Sequence, residues 1–449
     1  MKRILALILI LATFSMVFAP PANAATQAQI DASTAAGVAW LAGQQFGNSC
    51  PGTVTSGCWA PTDFAVGTTA MVVWKLEIHA VLQGLSPFDP AYQYSTNVVN
   101  GLNYLFANAV THAPSSGVYF REAANTGDSS YDTALALIAI VSGADPNRLV
   151  VGGPLNGMTY QNVAVGVVNF LAWAQKSSGT DTGGWTYDPI GLPNNRADNS
   201  ITGHVVMGLL FAEAPLHPSC GLIGGFGLTI PAAVKTLLNT WITYIQNTSG
   251  GTDDGGSGYT SPTYWVNIYK TGHLLQEMAF VGDTSLTPRV QSAVAFLVRH
   301  WNDPDVGNLG TAGWKGTPPT VDSSYIATLM LMKGLVALGI NTIGGFDWFD
   351  DIANVLLAQQ NPNGSWPIDG PLWSDNGLIR STAWALLTLE KAVPCHPAPA
   401  AVGGTVAPPS LMTGVLALLP WILMAFAAVG AGAYAMRRRY ASPILARIR

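Results

Sequence analysis

The sequence predicts an all-α fold, an (α/α)6 toroid of six helical hairpins, with a cleaved signal peptide before it and a single C-terminal transmembrane helix after it. Three observations carry this. A helix pair recurs, its second helix opening at Thr69, Thr133, Thr202, Thr271, Ala327 and Thr382, at spacings of 64, 69, 69, 56 and 55 residues. That second helix is apolar nearly all round, while the first is amphipathic. Only 10% of the 449 residues are charged and 49% are hydrophobic, with a mean hydropathy of +0.29; an ordinary soluble domain has about 25% charge.

Residues 1–24 read as a secretory signal. Lys2 and Arg3 form the basic start, Ile4 to Ala19 the apolar stretch, and Ala22-Asn23-Ala24 the cleavage site. At the other end, residues 394–410 form a Pro/Gly/Ala linker. Residues 411–436 carry no charge and exceed the roughly 20 needed to cross a bilayer. Arg437, Arg438 and Arg439 open a basic tail, 437–449, which the positive-inside rule keeps in the cytoplasm. The expectation is a single-pass protein of the cell membrane with its body outside. This end broadly resembles the C-terminal sorting signals of prokaryotic surface proteins but lacks their Pro-Glu-Pro signature. A permanent anchor is therefore expected, with removal by a sortase-like enzyme as the alternative.

Seven of the 20 basic residues lie in the two ends, so the body carries 13 basic against 25 acidic residues, a formal charge of −12. That excludes nucleic acid as a partner. In an exported body Cys50 and Cys58 are expected to bridge locally. Cys220 and Cys395 remain, but their pairing does not follow from sequence.

Between residues 28 and 393 the hairpins leave no room for another domain. The first helices run through Gly37 to Leu41, Gly101 to Leu105, Val168 to Leu171, Trp241 to Ile245, Val294 to Leu297 and Val355 to Leu357. The second, as in Thr133 to Ile140, have no polar stripe and must be buried on most faces. Six inner helices ringed by six outer ones satisfy both. A multi-pass membrane bundle is the competing arrangement, but apolar stretches of 12–16 residues are short for spanning.

The loops add a motif. Gln360-Asn-Pro-Asn-Gly364-Ser-Trp366 fits Q-x3-G-x-W; Gln175 with Gly183-Gly184-Trp185, and Gln45 with Gly57-Cys58-Trp59, are longer versions. Gly313-Trp314 is a partial copy, and two units lack the Trp. This resembles the QW repeat of squalene and oxidosqualene cyclases, shared in weaker form by prenyltransferase β subunits. The resemblance implies the toroid and a central cavity. It does not carry the activity. The family's D-x-D-D acid run is missing, no cysteine sits at an inner-helix start for the prenyltransferase zinc site, and Asp347-Trp-Phe-Asp350-Asp351 only inverts D-D-x-x-D.

Candidate site residues cluster where the inner helices begin. Asp132, Asp198, Asp322 and Asp375 lie at or just before those starts, a pattern that serves helix capping or a ring of carboxylates for acid/base work. His204 and His273 each end a Thr-Gly-His sequence in adjacent repeats, so the pair is a candidate divalent-metal or catalytic site with Asp198 as partner. Trp74, Tyr131, Tyr264, Trp265, Tyr325 and Trp384 are candidate ligand-binding aromatics, for an isoprenoid or for sugar rings. Glu77 and Glu390 share a phase late in the inner helices and are expected at their wet end. The Thr252 to Gly256 loop lacks the regular spacing of a calcium loop. Two functions follow. One is a membrane-anchored surface protein binding an apolar or glycan ligand in its cavity without cyclase chemistry. The other is an extracytoplasmic enzyme, a polysaccharide lyase or hydrolase or a lipid-directed transferase, using His204, His273 and Asp198.

Overall fold

The computed structural model describes residues 24–52, 56–60, 64–122, 127–216, 224–303, 313–314, 324–368 and 377–394. Residues 1–23, which hold most of the expected signal peptide, everything from residue 395 on with the expected transmembrane helix, Asp322, Asp375, Cys220 and Cys395 lie outside the described residues.

Twelve α-helices alternate between an outer and an inner role. The outer helices are α1 (Gln27–Gly43), α3 (Ser95–Ala107), α5 (Tyr160–Ala174), α7 (Ala232–Ile245), α9 (Pro288–His300) and α11 (Trp348–Gln359). The inner ones are α2 (Ala65–Leu82), α4 (Ser129–Ser142), α6 (Asn199–Glu213), α8 (Ile268–Phe280), α10 (Tyr325–Ala337) and α12 (Gly377–Leu389). Six of the twelve begin on a side-chain cap. Thr26, Thr159, Asp198, Asn267, Ser324 and Asp347 each accept a backbone N–H from their own first turn, filling donors that the helix leaves orphaned. Helix α2 has no such cap, because Phe64 precedes it in the left-handed region at φ 61°. Glu122 supplies the acceptor from outside, taking the Val66 N–H at 3.1 Å.

Each inner helix packs on the next, and α12 packs back on α2, so the inner ring closes. Helix α1 packs on α11 and α12, which closes the outer ring. Helix α2 is longer than the apolar stretches expected from sequence. At 18 residues it is apolar enough to cross a membrane, yet 89% of it is buried among its neighbours, as befits a ring helix. Two short antiparallel hairpins, β1 (Ala109–His112) with β2 (Gly117–Phe120) and β3 (Thr342–Ile343) with β4 (Phe346–Asp347), interrupt the helical pattern.

The loop motif explains the closure. Four glutamines make the same two bonds. The Nε2 of Gln45 donates to Gly57 O and Asn97 O at 3.0 and 2.9 Å. Gln175 donates to Gly183 O and Val234 O at 2.9 and 3.1 Å. Gln246 donates to Gly255 O and Arg289 O at 3.0 and 2.9 Å. Gln360 donates to Gly364 O and Ser33 O at 3.0 and 2.9 Å. In every case the first acceptor is in the glutamine's own loop and the second in the next outer helix. The last copy therefore reaches back to the first helix. The glycine is obligatory. Gly183 and Gly364 have φ of 92° and 95°, and a Cβ on either would collide with a carbonyl of the next outer helix, Leu237 or Ala36.

The other two motif residues bind inward. Trp59, Trp185 and Trp366 are fully buried, and their Nε1–H groups donate to Leu41 O, Leu171 O and Leu356 O, late in the preceding helix. Their backbone N–H groups donate to the inner-helix threonines Thr69, Thr202 and Thr382 at 3.1, 3.1 and 2.9 Å. Phe120 N and Ser257 N make the same bond to Thr133 and Thr271, so the two units without Trp keep the clasp. The recurrent threonine is thus a loop acceptor. The expected Cys50–Cys58 disulfide is formed inside the first loop, with Cα atoms 5.7 Å apart.

Replacing Gln175 by Ala strands two buried carbonyls. Each costs about 1–3 kcal/mol, so Gln175→Ala should destabilise the fold by about 3 kcal/mol. Thermal or denaturant unfolding checks this, with the exposed Gln161→Ala as the silent control.

Candidate functional site: a central cavity at the inner-helix starts

A cavity lies on the ring axis, walled by the first halves of the inner helices. The walls follow a simple register. Counting from the inner-helix threonine, the residue two places on is Met71, Leu135, His204, Met330 or Trp384, and each lines the cavity. The residue two places before includes Gly67, Tyr131, Ile326 and Arg380, which line it as well. Positions four apart share a helix face, so two turns of each helix point to the axis. Phe64, Asp128 and Tyr187 join from the loops, and Trp74 and Met207 sit deepest.

Asp132 is one of two carboxyls lining the cavity, with Asp128. It is 3% exposed, and its Oδ1 has no hydrogen-bond partner among the described residues. Burial, reinforced by the nearby Glu122 and Asp128, pushes its pKa well above the ordinary carboxylate range, with the Gly67 N–H acting the other way. Burial in this largely apolar wall favours its protonated form.

Asp198 has a different use. It is 1% exposed and accepts from Ser200 N at 2.8 Å, Ile201 N at 3.0 Å and Ser200 Oγ at 2.6 Å. Burial lifts its pKa to about 6 against those hydrogen bonds. Its hydrogen bonds cap α6, and among the described residues none runs to a histidine.

The two histidines do come together, with ring centroids 4.9 Å apart. The Nδ1–H of His204, which lines the cavity, donates to Ser200 O at 2.8 Å. His273 is fully buried behind it, and neither ring nitrogen has a hydrogen-bond partner among the described residues. The glycine of each Thr-Gly-His has a packing reason. A Cβ on Gly203 would strike the His273 ring, and one on Gly272 would strike the backbone of α10. No group of three His, Cys, Asp or Glu side chains among the described residues is arranged to hold a metal ion. The paired rings therefore lack, among the described residues, the third ligand that the divalent-metal site expected from sequence needs.

Around the histidines lies an aromatic cluster only partly visible beforehand. Tyr131 packs on His204 at 4.5 Å and on Tyr187 at 5.8 Å, and Tyr269 packs on His273 at 4.9 Å. The Tyr187 and Tyr259 hydroxyls share a hydrogen bond of 2.8 Å. Lys270 lies 4.7 Å from the centre of the Trp265 ring. Of the expected ligand-binding aromatics, Trp74, Tyr131 and Trp384 line the cavity. Tyr264 is 57% exposed and pairs with Trp265 outside it. Tyr325 is buried between helices, its hydroxyl bonded to Gln359 Oε1 at 2.9 Å. Tyr187, Tyr259 and Tyr269 were missed. Tyr269 had a signal, since it precedes its threonine by two residues as Tyr131 does.

Other expectations resolve differently. Glu77 is fully buried with both oxygens unpartnered, and Glu390 pairs with buried Lys75 at 2.7 Å, so neither sits at a wet helix end. The Thr252 to Gly256 loop hosts a cation of its own, since Arg299 donates to Thr252 O and Asp254 O.

No protein-family model matches the chain, and no curated protein matches its sequence. Solved structures do resemble it. A type II terpene cyclase from Scytonema is 16% identical over 82% of this chain and 99% of its own, with a TM-score of 0.49. A GH76 α-mannanase from Bacteroides thetaiotaomicron is 10% identical over 81% and 95%, with a TM-score of 0.49. Dfg5 from Chaetomium thermophilum, solved with glucosamine, is 14% identical over 87% and 97%, with a TM-score of 0.48. The α/α toroid itself is read from the closed double ring described above.

Burial holds His204 neutral, its pKa lowered to about 4, with only the Ser200 carbonyl acting the other way. In the unfolded chain the ring titrates near pH 6.5. Between those values the unfolded state binds more protons, so this contribution to stability is present above pH ~6.5 and is lost as pH falls toward 4. The stability difference between the wild type and His204→Gln should therefore shrink by about 1 kcal/mol per pH unit over that window. Paired urea melts at pH 7, 6 and 5 test it, and a constant difference would contradict it.

Proposed function

We propose that the protein is an exported, membrane-anchored toroid that takes an apolar ligand of isoprenoid type into its central cavity. One observation carries this reading. The cavity wall is built of Met, Leu, Ile, Phe, Tyr and Trp side chains, with Asp132, His204 and Arg380 among the few polar members. Such a surface gains by excluding water around hydrocarbon and offers a sugar few hydrogen-bond partners. The formed disulfide suits an oxidising compartment, and the acidic body suits neither nucleic acid nor anionic lipid. Protease treatment of intact cells should digest the body and spare the basic tail; the reverse pattern would remove the proposed orientation.

Tritiated geranylgeraniol should bind saturably at one site per chain. Leu135→Trp, which fills the cavity from α4, should weaken binding at least tenfold with the helical circular dichroism unchanged. Equal binding by the filled variant would refute the site.

Asp132 favours a second reading, acid catalysis on the bound ligand. A buried, protonated carboxyl with one free oxygen is equipped to give a proton to an electron-rich double bond. Asp132→Asn should then bind geranylgeraniol normally while abolishing any isomerised or cyclised product seen by gas chromatography with the wild type. An unchanged product profile would leave binding as the sole activity.

A further inference from the structure

Five residues after the inner-helix threonine comes the next axis-facing level, occupied by Trp74, Ile138, Met207, Gln276, Lys333 and Leu387. A lysine at this depth is unexpected. Lys333 is 1% exposed, and its Nζ has no hydrogen-bond partner among the described residues. It lies over two ring faces, 4.2 Å from the Trp74 centroid and 4.7 Å from that of Phe211. Burial alone, with no acidic neighbour contributing, drives its pKa well below the ordinary lysine value. A group left so is expensive unless something completes it.

Lys333 borders a second, much smaller cavity, bounded also by Leu210, Phe211, Gln276, Ala337 and the Val393-Pro394 segment. Met207 belongs to the wall of both this chamber and the larger one above, and Trp74, whose ring Lys333 faces, lines the upper one. The partition between the two is therefore a flexible thioether beside an indole. Thioether side chains adjust readily to what lies against them.

We propose that Lys333 anchors the carboxyl head of a long-chain amphiphilic acid whose hydrocarbon tail passes Met207 into the central cavity. The inference rests on the central cavity being an apolar-ligand site and adds the ligand's head group. The chemistry of the chamber selects the class. One amine matches one acid, either as an ammonium–carboxylate pair or as amine and carboxylic acid sharing the proton. Both forms enter the apolar interior with no net charge. A phosphate monoester would bring close to two negative charges against one cation. An alcohol head would hydrogen-bond the amine but give it no countercharge. The Trp74 and Phe211 faces stabilise the cation that proton transfer creates.

The test uses the full-length protein in phosphatidylcholine nanodiscs, titrated with tritiated hexadecanoic acid and with tritiated hexadecanol, empty nanodiscs giving the background. The wild type should bind the acid at least tenfold more tightly than the alcohol. Lys333→Met should keep the alcohol affinity and lose the preference, and Lys333→Leu should repeat that result. Replacing an unpartnered buried amine by an apolar side chain should also raise Tm, which certifies that the variants fold. Equal affinity of the wild type for both ligands, or a preference that survives both substitutions, overturns the role of Lys333 and leaves the cavity reading standing. Binding of neither ligand overturns both.

Discussion

Everything in this ring depends on one repeated linkage, the loop glutamine that holds its own loop and the next outer helix by a single amide. Gln45, Gln175, Gln246 and Gln360 each satisfy two carbonyls with one NH2 group, one from either side of a repeat junction. The bond is directional in sequence, always from one hairpin to the next. A chain of such bonds has no natural end unless the last copy meets the first helix, and the Gln360–Ser33 bond is that meeting. Closure is thus a consequence of the same local chemistry that joins neighbours, as expected of stacked repeats. The glycine enforces spacing, because its missing Cβ is where the next helix's carbonyl sits.

Closure fixes what faces the axis. The threonine clasp sets the rotation of each inner helix by pinning it to its own loop, so residues at fixed offsets from the threonine converge in levels. The level two residues on is mostly apolar apart from the paired histidines, and the level five residues on holds Trp74, Met207, Gln276 and Lys333. With six outer helices excluding water, polar groups on these levels lose hydration that only protein or ligand can replace. Burial biases them toward their neutral forms, lowering the pKa of His204 and Lys333 and raising that of Asp132.

Much of this was legible beforehand. The spacing of the threonines, the helix types and the position of the cavity at the inner-helix starts are local patterns, and local patterns survive in sequence. The Gln246 clamp was overlooked because its loop has Ser257 where the other copies have Trp, although the bond needs only the glutamine and glycine. The use of each carboxylate was not legible. Asp132 and Asp198 look alike as acids near helix starts, yet one N-caps its helix and the other lies within the first turn with an oxygen left over. The late-helix residues were misjudged for a similar reason. Glu77 appears near a helix end by count, but α2 runs on to Leu82, and Glu77 is fully buried inside the ring.

The distinction between spent and unspent polar atoms is what separates scaffold from site. Asp198 and Glu122 both answer backbone N–H groups that the fold itself exposes, so their carboxyl oxygens serve helix geometry. Lys75 and Glu390 answer each other across the closing seam. Asp132 Oδ1 and Lys333 Nζ answer nothing among the described residues, and both line space on the ring axis. Glu77, Glu277 and His273 are also unanswered, but they line neither axial cavity. An unmet polar atom facing packed side chains only lowers stability, whereas one facing a cavity can be met by whatever enters. Asp132 and Lys333 therefore add an acid and an amine to the other polar groups, Thr68, Asp128, His204 and Arg380, by which this largely apolar interior can discriminate among ligands.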